Sequence, residues 1–230
     1  DGNYFFGMLS PGNYVVGIPT NPAGTNGSST GQDGDTATDG NDNGDNGPLG
    51  IQSTIIALQP NTETANEPGQ GGTQDDAADT NGNMTVDFGF VPNMSVGSTV
   101  FADDNNNGIY NEATEDGISG ITVELYSTGA DGIAGTTDDY QVGTDVTDAN
   151  GDYFFGNLIP GEYYLVIPST PTNVPVSSTN TDTADNQQDN DDNGIQTGGS
   201  GTLVTSPEFT LTPALEPTSV ENGNSGGAQD

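Results

Sequence analysis

The sequence predicts an all-β chain, organised as tandem β-sandwiches with Greek-key-like order and long Asp/Asn/Gly-rich loops. Three observations predict it. Short apolar runs are separated by clusters of Gly, Asn, Asp and Pro, the pattern of strands joined by turns. No window sustains a helical period, because Gly or Pro interrupts nearly every one. A long segment recurs: Asp1–Pro19 returns as Asn150–Pro168, offset by 149 residues, both built on Tyr-Phe-Phe-Gly and Pro-Gly-x-Tyr. Farther on, Gly71–Asp75 matches Gly226–Asp230 at an offset of 155, so the second copy carries six extra residues. Repeats of this length are beads with their own cores, since solenoid turns repeat every 20 to 50 residues or so.

The elements follow in order. Residues 1–90 form the back of one unit, 91–95 a short connection stiffened by Pro92, and 96–230 the next unit without its closing strand. In the first unit Met84–Phe90 supplies that closing strand, with Met84, Val86, Phe88 and Phe90 on one face. In the second, Val96–Ala102 opens the sandwich. Ile121–Tyr126 alternates cleanly, with Ile121, Val123 and Leu125 inward. Gln141–Thr147, Tyr153–Phe155 and Tyr163–Ile167 follow, then a weaker run at Glu208–Leu211. Asn150-Gly151 reads as a hairpin turn and Pro160-Gly161 as a second turn. Residues 24–47 and 173–201 show no alternation and are expected to be loops whose order depends on ions. The half-units imply either a window on a longer filament of such beads, which the repeat phase favours, or exchange of the 84–90 strand between molecules.

Composition excludes much. The 230 residues hold 34 Asp and Glu but no Lys, Arg, His, Cys or Trp, for a net charge of -34. Such a surface repels nucleic acid and anionic membranes. Disulfides, Cys or His catalysis and soft-metal sites are impossible. No apolar run of about 18 residues exists to span a bilayer. Carboxylates without basic partners must be offset by cations.

Specific residues answer that need. Asp103, Asn105 and Asn107 place oxygens at positions 1, 3 and 5 of a loop, Gly108 bends it, and the Ile109 carbonyl follows, as in a calcium-binding loop. Position 12 is Thr114; the terminal ligand is displaced by one residue, with Glu112, Glu115 and Asp116 nearby, or comes from elsewhere. Further oxygen clusters are Asp131, Asp138 and Asp139; Asp148, Asn150 and Asp152, with Asp1 and Asn3 as first-copy partners; and Asp189, Asp191 and Asn193, matched by Asp39, Asn41 and Asn43. All are hard oxygen donors suited to Ca2+.

The frame from Val96 through Asp103-Asp-Asn-Asn-Asn-Gly108, with Glu115-Asp-Gly-Ile-Ser-Gly-Ile-Thr-Val-Glu-Leu125, resembles the opening of SdrD B-like (Cna B-related) domains of bacterial surface proteins. Thr147–Tyr163 is similar to the family's middle and Met84–Phe90 to its end. The resemblance implies a transthyretin-like, Cna B-type sandwich that binds several calcium ions and occurs in tandem on secreted or wall-attached stalks. It also implies that Asp103, Asn105, Asn107 and the Ile109 carbonyl form a first site, with Asp148, Asn150 and Asp152 as loop ligands. Two departures stand out: Phe101 where an aromatic, often Trp, is usual, and one extra residue between Gly108 and Gly117.

The expected function is therefore structural: a calcium-rigidified, extracellular repeat whose partners are neighbouring copies of itself. The alternative is adhesion to a glycan or surface protein through loops 24–47 and 173–201, with Tyr140, Tyr163 and Tyr164 as candidate platform residues. Catalysis by a carboxylate pair is the weakest reading, because with 34 acidic groups a close pair carries little information.

Overall fold

The computed structural model describes residues 2, 4–29, 42–62, 81–111, 113–178 and 191–215, all β-strand, turn or loop. The chain divides into two compact units, Asp1–Pro92 and Asn93–Asp230.

The first unit contains β1 (Gly12–Tyr14), β2 (Gly17–Ile18), β3 (Thr25–Ser28), β4 (Asp45–Gly47), β5 (Gly50–Gln52), β6 (Ile56–Leu58) and β7 (Phe90–Pro92). These strands pair antiparallel: β1 with β6, β2 with β5, β5 with β4, and β3 with β7. The second unit contains β8 (Met94–Thr99), β9 (Thr122–Ser127), β10 (Tyr140–Val146), β11 (Asp152–Leu158), β12 (Gly161–Ile167), β13 (Val204–Thr205) and β14 (Phe209–Leu211). One sheet runs β10-β9-β12-β13, with β14 also on β12; the other pairs β11 with β8.

Two antiparallel sheets enclose one core, the arrangement of a Cna B-type sandwich. Val123, Leu125, Tyr163 and Leu211 from one sheet meet Met94, Phe155 and Leu158 from the other. The predicted alternation of β9 holds: Ile121, Val123 and Leu125 are buried, Leu125 completely.

The internal repeat is preserved down to register. Gly12↔Leu58 and Tyr14↔Ile56 in one unit correspond to Gly161↔Leu211 and Tyr163↔Phe209 in the other. Ser53 accepts the Val16 N–H at 3.1 Å, as Ser206 accepts that of Leu165 at 2.9 Å. A shared bead architecture repeats even its side-chain ties.

Several expectations are revised. The Asn150-Gly151 turn does not make a hairpin. It carries the chain from β10 in one sheet to β11 in the other, because β11 finds its partner in β8. Asp145 bridges the crossing by accepting the Phe154 N–H at 2.8 Å. The closing strand is displaced: regular pairing covers Phe90–Pro92, while Thr85 and Val86 are both buried, so simple alternation fails there. The expected connection 91–95 is strand except for Asn93. Residues 24–47, read as loop, contain β3 and β4, and β13 arises where no alternation announced it.

Tyr-Phe-Phe-Gly shows how context decides. In β11, Phe155 is 7% exposed beneath its pairing with Val96. Its counterpart Phe6 is 60% exposed and lies outside any strand. Among the described residues, nothing pairs with Tyr4–Leu9 as β8 pairs with β11.

Met8 adds a backbone consequence. It stands at φ 58°, the left-handed conformation that its counterpart Asn157 adopts at φ 57°. Asn tolerates this region better than an unbranched apolar residue. Met8 is fully exposed, so few contacts are lost on replacement. Met8→Asn is expected to stabilise the first unit by about 0.5–1 kcal/mol. An upward shift of the corresponding calorimetric transition checks this, and a downward shift contradicts it.

Candidate metal centre

The 103–117 loop hangs between β8 and β9, pinned at both ends by backbone bonds. Ala102 N–H donates to the Asp116 carbonyl at 2.9 Å, and Ile118 N–H to that of Val100 at 2.7 Å. Asn106 and Gly108, at φ 56° and 71°, curl the chain between these anchors. The curl brings backbone donors onto Asp103, which accepts Asn107 N–H at 3.2 Å and Gly108 N–H at 2.7 Å. Desolvation pushes the Asp103 carboxyl up, but the N–H groups of Gly108, Asn107 and Asn106 and the Ser178 hydroxyl hold it below its ordinary value. It is held as a carboxylate. The Asn107 side chain turns to its own backbone, accepting Ile109 N–H at 2.9 Å.

Two of the three acidic residues considered for the loop's far end lie among the described residues. Glu115 is 3% exposed, accepting from Asn105 Nδ2 at 3.0 Å and from Asn111 N–H at 2.9 Å. Asp116 faces solvent, and Glu112 lies outside the described residues. The inward carboxylate is thus one position beyond the usual twelfth, opposite Asn105.

A second element joins this loop without a sequence signal. Asp192 N–H donates to the Gly108 carbonyl at 2.8 Å, and Asp191 bridges to Ile109. Asp191 therefore lies beside the 103–109 loop, whereas Asp189 is outside the described residues, as are Asp1, Asn3, Asp39 and Asn41. Asn193 follows Asp191 and Asp192 in the same turn, half-buried.

The tie that organises this turn is Asp192, a residue the alternating pattern passed over. It accepts from Ser178 Oγ at 2.7 Å and Gly194 N–H at 2.7 Å. Asp42 does the same in the first unit, accepting from Ser28 Oγ at 2.8 Å, Ser29 Oγ at 2.5 Å and Gly44 N–H at 2.8 Å. Recurrence of Asp-x-Gly after Ser-Ser in both copies was the available signal. Asn43 is buried and accepts Asp87 N–H at 2.9 Å, so its amide oxygen holds backbone.

The 131–139 loop, between β9 and β10, gathers its carboxylates most closely. Ligand oxygens of Asp131, Asp138 and Asp139 lie within 4.8 Å of one another, Asp131 and Asp138 exposed and Asp139 partly covered. Thr136 Oγ1 sits among them, 2.8 Å from Asp138 and 3.1 Å from Asp139. Asp138 is held below its ordinary value by the Thr136 hydroxyl and the Ala130 N–H. At Asp139, desolvation is outweighed by Tyr164 and the Gly135 N–H, at 2.8 and 2.7 Å. Three charged oxygens so placed can coordinate a hard divalent cation.

The third predicted cluster is arranged differently. Asp148 closes the β10–β11 turn, accepting N–H groups of Asn150 at 2.7 Å and Asp152 at 3.1 Å. Asp152 accepts from Thr99 Oγ1 at 2.7 Å. Their carboxylates thus brace the turn and the β8–β11 pairing.

Comparison with known proteins agrees with this architecture. A family model described as SdrD B-like domain matches residues 94–213. The chain is 33% identical over 150 residues to serine-aspartate repeat-containing protein C of Staphylococcus aureus strain MRSA252, covering 60% of this chain and 15% of that protein. It is 34% identical over 125 residues to serine-aspartate repeat-containing protein F of Staphylococcus epidermidis, covering 54% and 6%. Colossin-A of Dictyostelium discoideum is 34% identical over 79 residues, covering 34% and 1%. The chain thus spans 15% or less of these three curated relatives.

Proposed function

The chain belongs to the SdrD B-like domain family, and on that premise we propose that it is a calcium-rigidified repeat module of an extracellular, cell-surface stalk or filament. It is a structural, non-catalytic module. Its partners are neighbouring repeats of the same kind. The observation that carries the calcium reading is the Asp131/Asp138/Asp139 cluster, whose oxygens approach within 4.8 Å in a chain without one Lys, Arg or His. Mutual repulsion at that spacing weakens the folded loop unless a cation bridges it. Asp103 and the inward Glu115 provide a second oxygen-lined loop, joined by Asp191, and make the reading one of several ions per unit. Both loops connect strands of the same sandwich, so occupancy stiffens the bead itself.

The adhesive alternative has no comparable support. Tyr163 and Tyr164 are buried, Tyr164 stacked on Tyr126 at 5.4 Å, and only Tyr140 among the candidate platform residues is exposed.

Chelation tests the proposal. A ligand at about one hundred times its dissociation constant stabilises the folded state by about 2.7 kcal/mol. For a domain of this size, removal lowers Tm by about ten degrees or more. Calorimetry in calcium and in EDTA, at low ionic strength, is expected to show that loss in the second unit. Asp138→Asn should reproduce much of it. Superimposable melting curves would refute the calcium reading.

A further inference from the structure

One reactive tripeptide occurs three times among the described residues: Asp42-Asn43-Gly44, Asp45-Asn46-Gly47 and Asp192-Asn193-Gly194. Asn-Gly is chemically labile. The glycine peptide nitrogen, after giving its proton to hydroxide, attacks the asparagine Cγ. The N–Cγ bond forms, the Cγ–Nδ2 bond breaks, and the amide nitrogen takes a proton and leaves as ammonia. Water then opens the succinimide at either carbonyl, giving aspartate or isoaspartate and one new carboxylate. Glycine favours the attack because no side chain shields its nitrogen. With the same residue on either side of each Asn, sequence alone makes the three sites equal.

The fold makes them unequal. Asp42 reaches past Asn43 to accept Gly44 N–H at 2.8 Å, and Asp192 reaches past Asn193 to accept Gly194 N–H at 2.7 Å. In both, the nitrogen held is the one that must attack. A hydrogen bond to its protonated form and a negative charge beside it both oppose loss of the proton. Asp42 stays ionised: desolvation pushes it up, but Ser29, the Gly44 and Gly89 N–H groups and Ser28 hold it below its ordinary value. Asn43 is also buried, its side chain fixed by accepting Asp87 N–H at 2.9 Å. Asp45 is turned the other way. Its Oδ1 accepts Asn46 N–H at 2.6 Å, and both residues are exposed.

We propose that Asn46 is a site of spontaneous deamidation, and that Asp42 and Asp192 withhold the same reaction from Asn43 and Asn193. The difference falls where the fold can bear it. Asn43 N–H donates to the Asp87 carbonyl at 2.9 Å, tying its turn to the segment before β7. The Asn193 turn is held on both sides, by Asp192 N–H on the Gly108 carbonyl and Ile195 N–H on that of Thr205, each at 2.8 Å. An isoaspartate at either place inserts a methylene into main chain whose ends are fixed. Asn46 instead stands on β4, the outer strand of the β2-β5-β4 sheet, where Gly47 and Gly50 close the turn. Its conversion adds a carboxylate to an exposed edge, a group that discourages strand pairing between molecules.

The test incubates the 230-residue chain in calcium at mildly alkaline pH, where it stays folded. Peptic digestion and tandem mass spectrometry follow each Asn, with fragment ions separating Asn43 from Asn46. Asn46 is expected to deamidate at least about tenfold faster than Asn43 and Asn193, the factor that one charge-assisted hydrogen bond on the attacking nitrogen imposes. In guanidinium chloride the three rates should converge. Asp192→Ala should raise the Asn193 rate by about tenfold and leave Asn46 unchanged. Asp192→Asn, which keeps a neutral acceptor, should fall between. Equal rates in the folded chain, a slower Asn46, or a difference that survives guanidinium chloride would each overturn the proposal. The three sites of the parent chain decide it even where circular dichroism shows that Asp192→Ala does not fold.

Discussion

Gly117→Ala is expected to destabilise the second unit by about 3 kcal/mol or more, the upper range for forcing atoms into a packed site. A Cβ on Gly117 would collide with the Asn150 carbonyl, and the neighbouring Gly151 N is only 2.9 Å from it. Backbone on both sides leaves no flexible side chain to yield. Phe101 and Gly117 bridge the end of the 103–117 loop to the β8 extension, and Val100 N–H donates to the Gly151 carbonyl at 2.9 Å. To admit the methyl group, the loop and the 148–152 turn must separate, which breaks these ties together. Gly120→Ala is the matched control: Gly120 has φ 78° with nothing within 4 Å of its added Cβ. It should cost only the left-handed backbone penalty, about 1 kcal/mol. Denaturant unfolding of the two variants separates collision from backbone strain. Equal losses would show that the contact at Asn150 relaxes freely.

That contact marks a boundary of what the sequence reveals. Period-two alternation located β9 and most of the strands in its unit, because one face of each is buried and the pattern is written residue by residue. The Asn-Gly turn was legible too, but the destination of its strands was not. A tight turn specifies local backbone, while β11's choice of β8 over β10 depends on partners distant in the chain. Tyr-Phe-Phe-Gly makes the point within one molecule, its second Phe buried as Phe155 in one copy and exposed as Phe6 in the other. At the oxygen-rich loops, ligand spacing singled out Asp103, and the paired carboxylates drew attention to 131–139, where the structure gathers Asp131, Asp138 and Asp139. It passed over Asp42 and Asp192, which serve as turn braces at positions between the alternating ones. Spacing reports which side chains can converge on a point, and says nothing of which will instead accept the nearest backbone N–H. Nor could it choose Glu115 over Asp116, since that follows from how the loop is tied at Ala102.

Alkaline pH is expected to unfold the chain between about pH 10 and 12, more steeply than acid does. Tyr164 is raised to about 12, by desolvation first and then by its hydrogen bond to the Asp139 carboxylate. Tyr153 is also pushed up strongly, by desolvation alone. In the unfolded chain a tyrosine ionises near 10. Between these values the unfolded state has released a proton that the folded state still holds, so stability falls as pH rises. The contribution is complete below about pH 10 and is lost through the folded value. Repulsion works in the same direction, because each phenolate adds to a net charge already at -34. On the acid side the signs oppose. Asp103, Asp138 and Asp139 titrate below their ordinary value in the folded state, so their contribution is present above about pH 4 and lost below it. Protonating the many other carboxylates relieves repulsion at the same time. The stability profile should therefore be a plateau with a shallow acid edge and a steep alkaline one. Tyr164→Phe, which keeps the stacked ring on Tyr126 and removes the ionising group, should move the alkaline edge upward by several tenths of a pH unit, on the order expected from one titrating site. Circular dichroism across pH, with phenolate absorbance followed in parallel, checks both. A phenolate titration already complete near pH 10 while the fold persists would contradict the burial argument, because Tyr164 and Tyr153 would then lose their protons without cost to the sandwich.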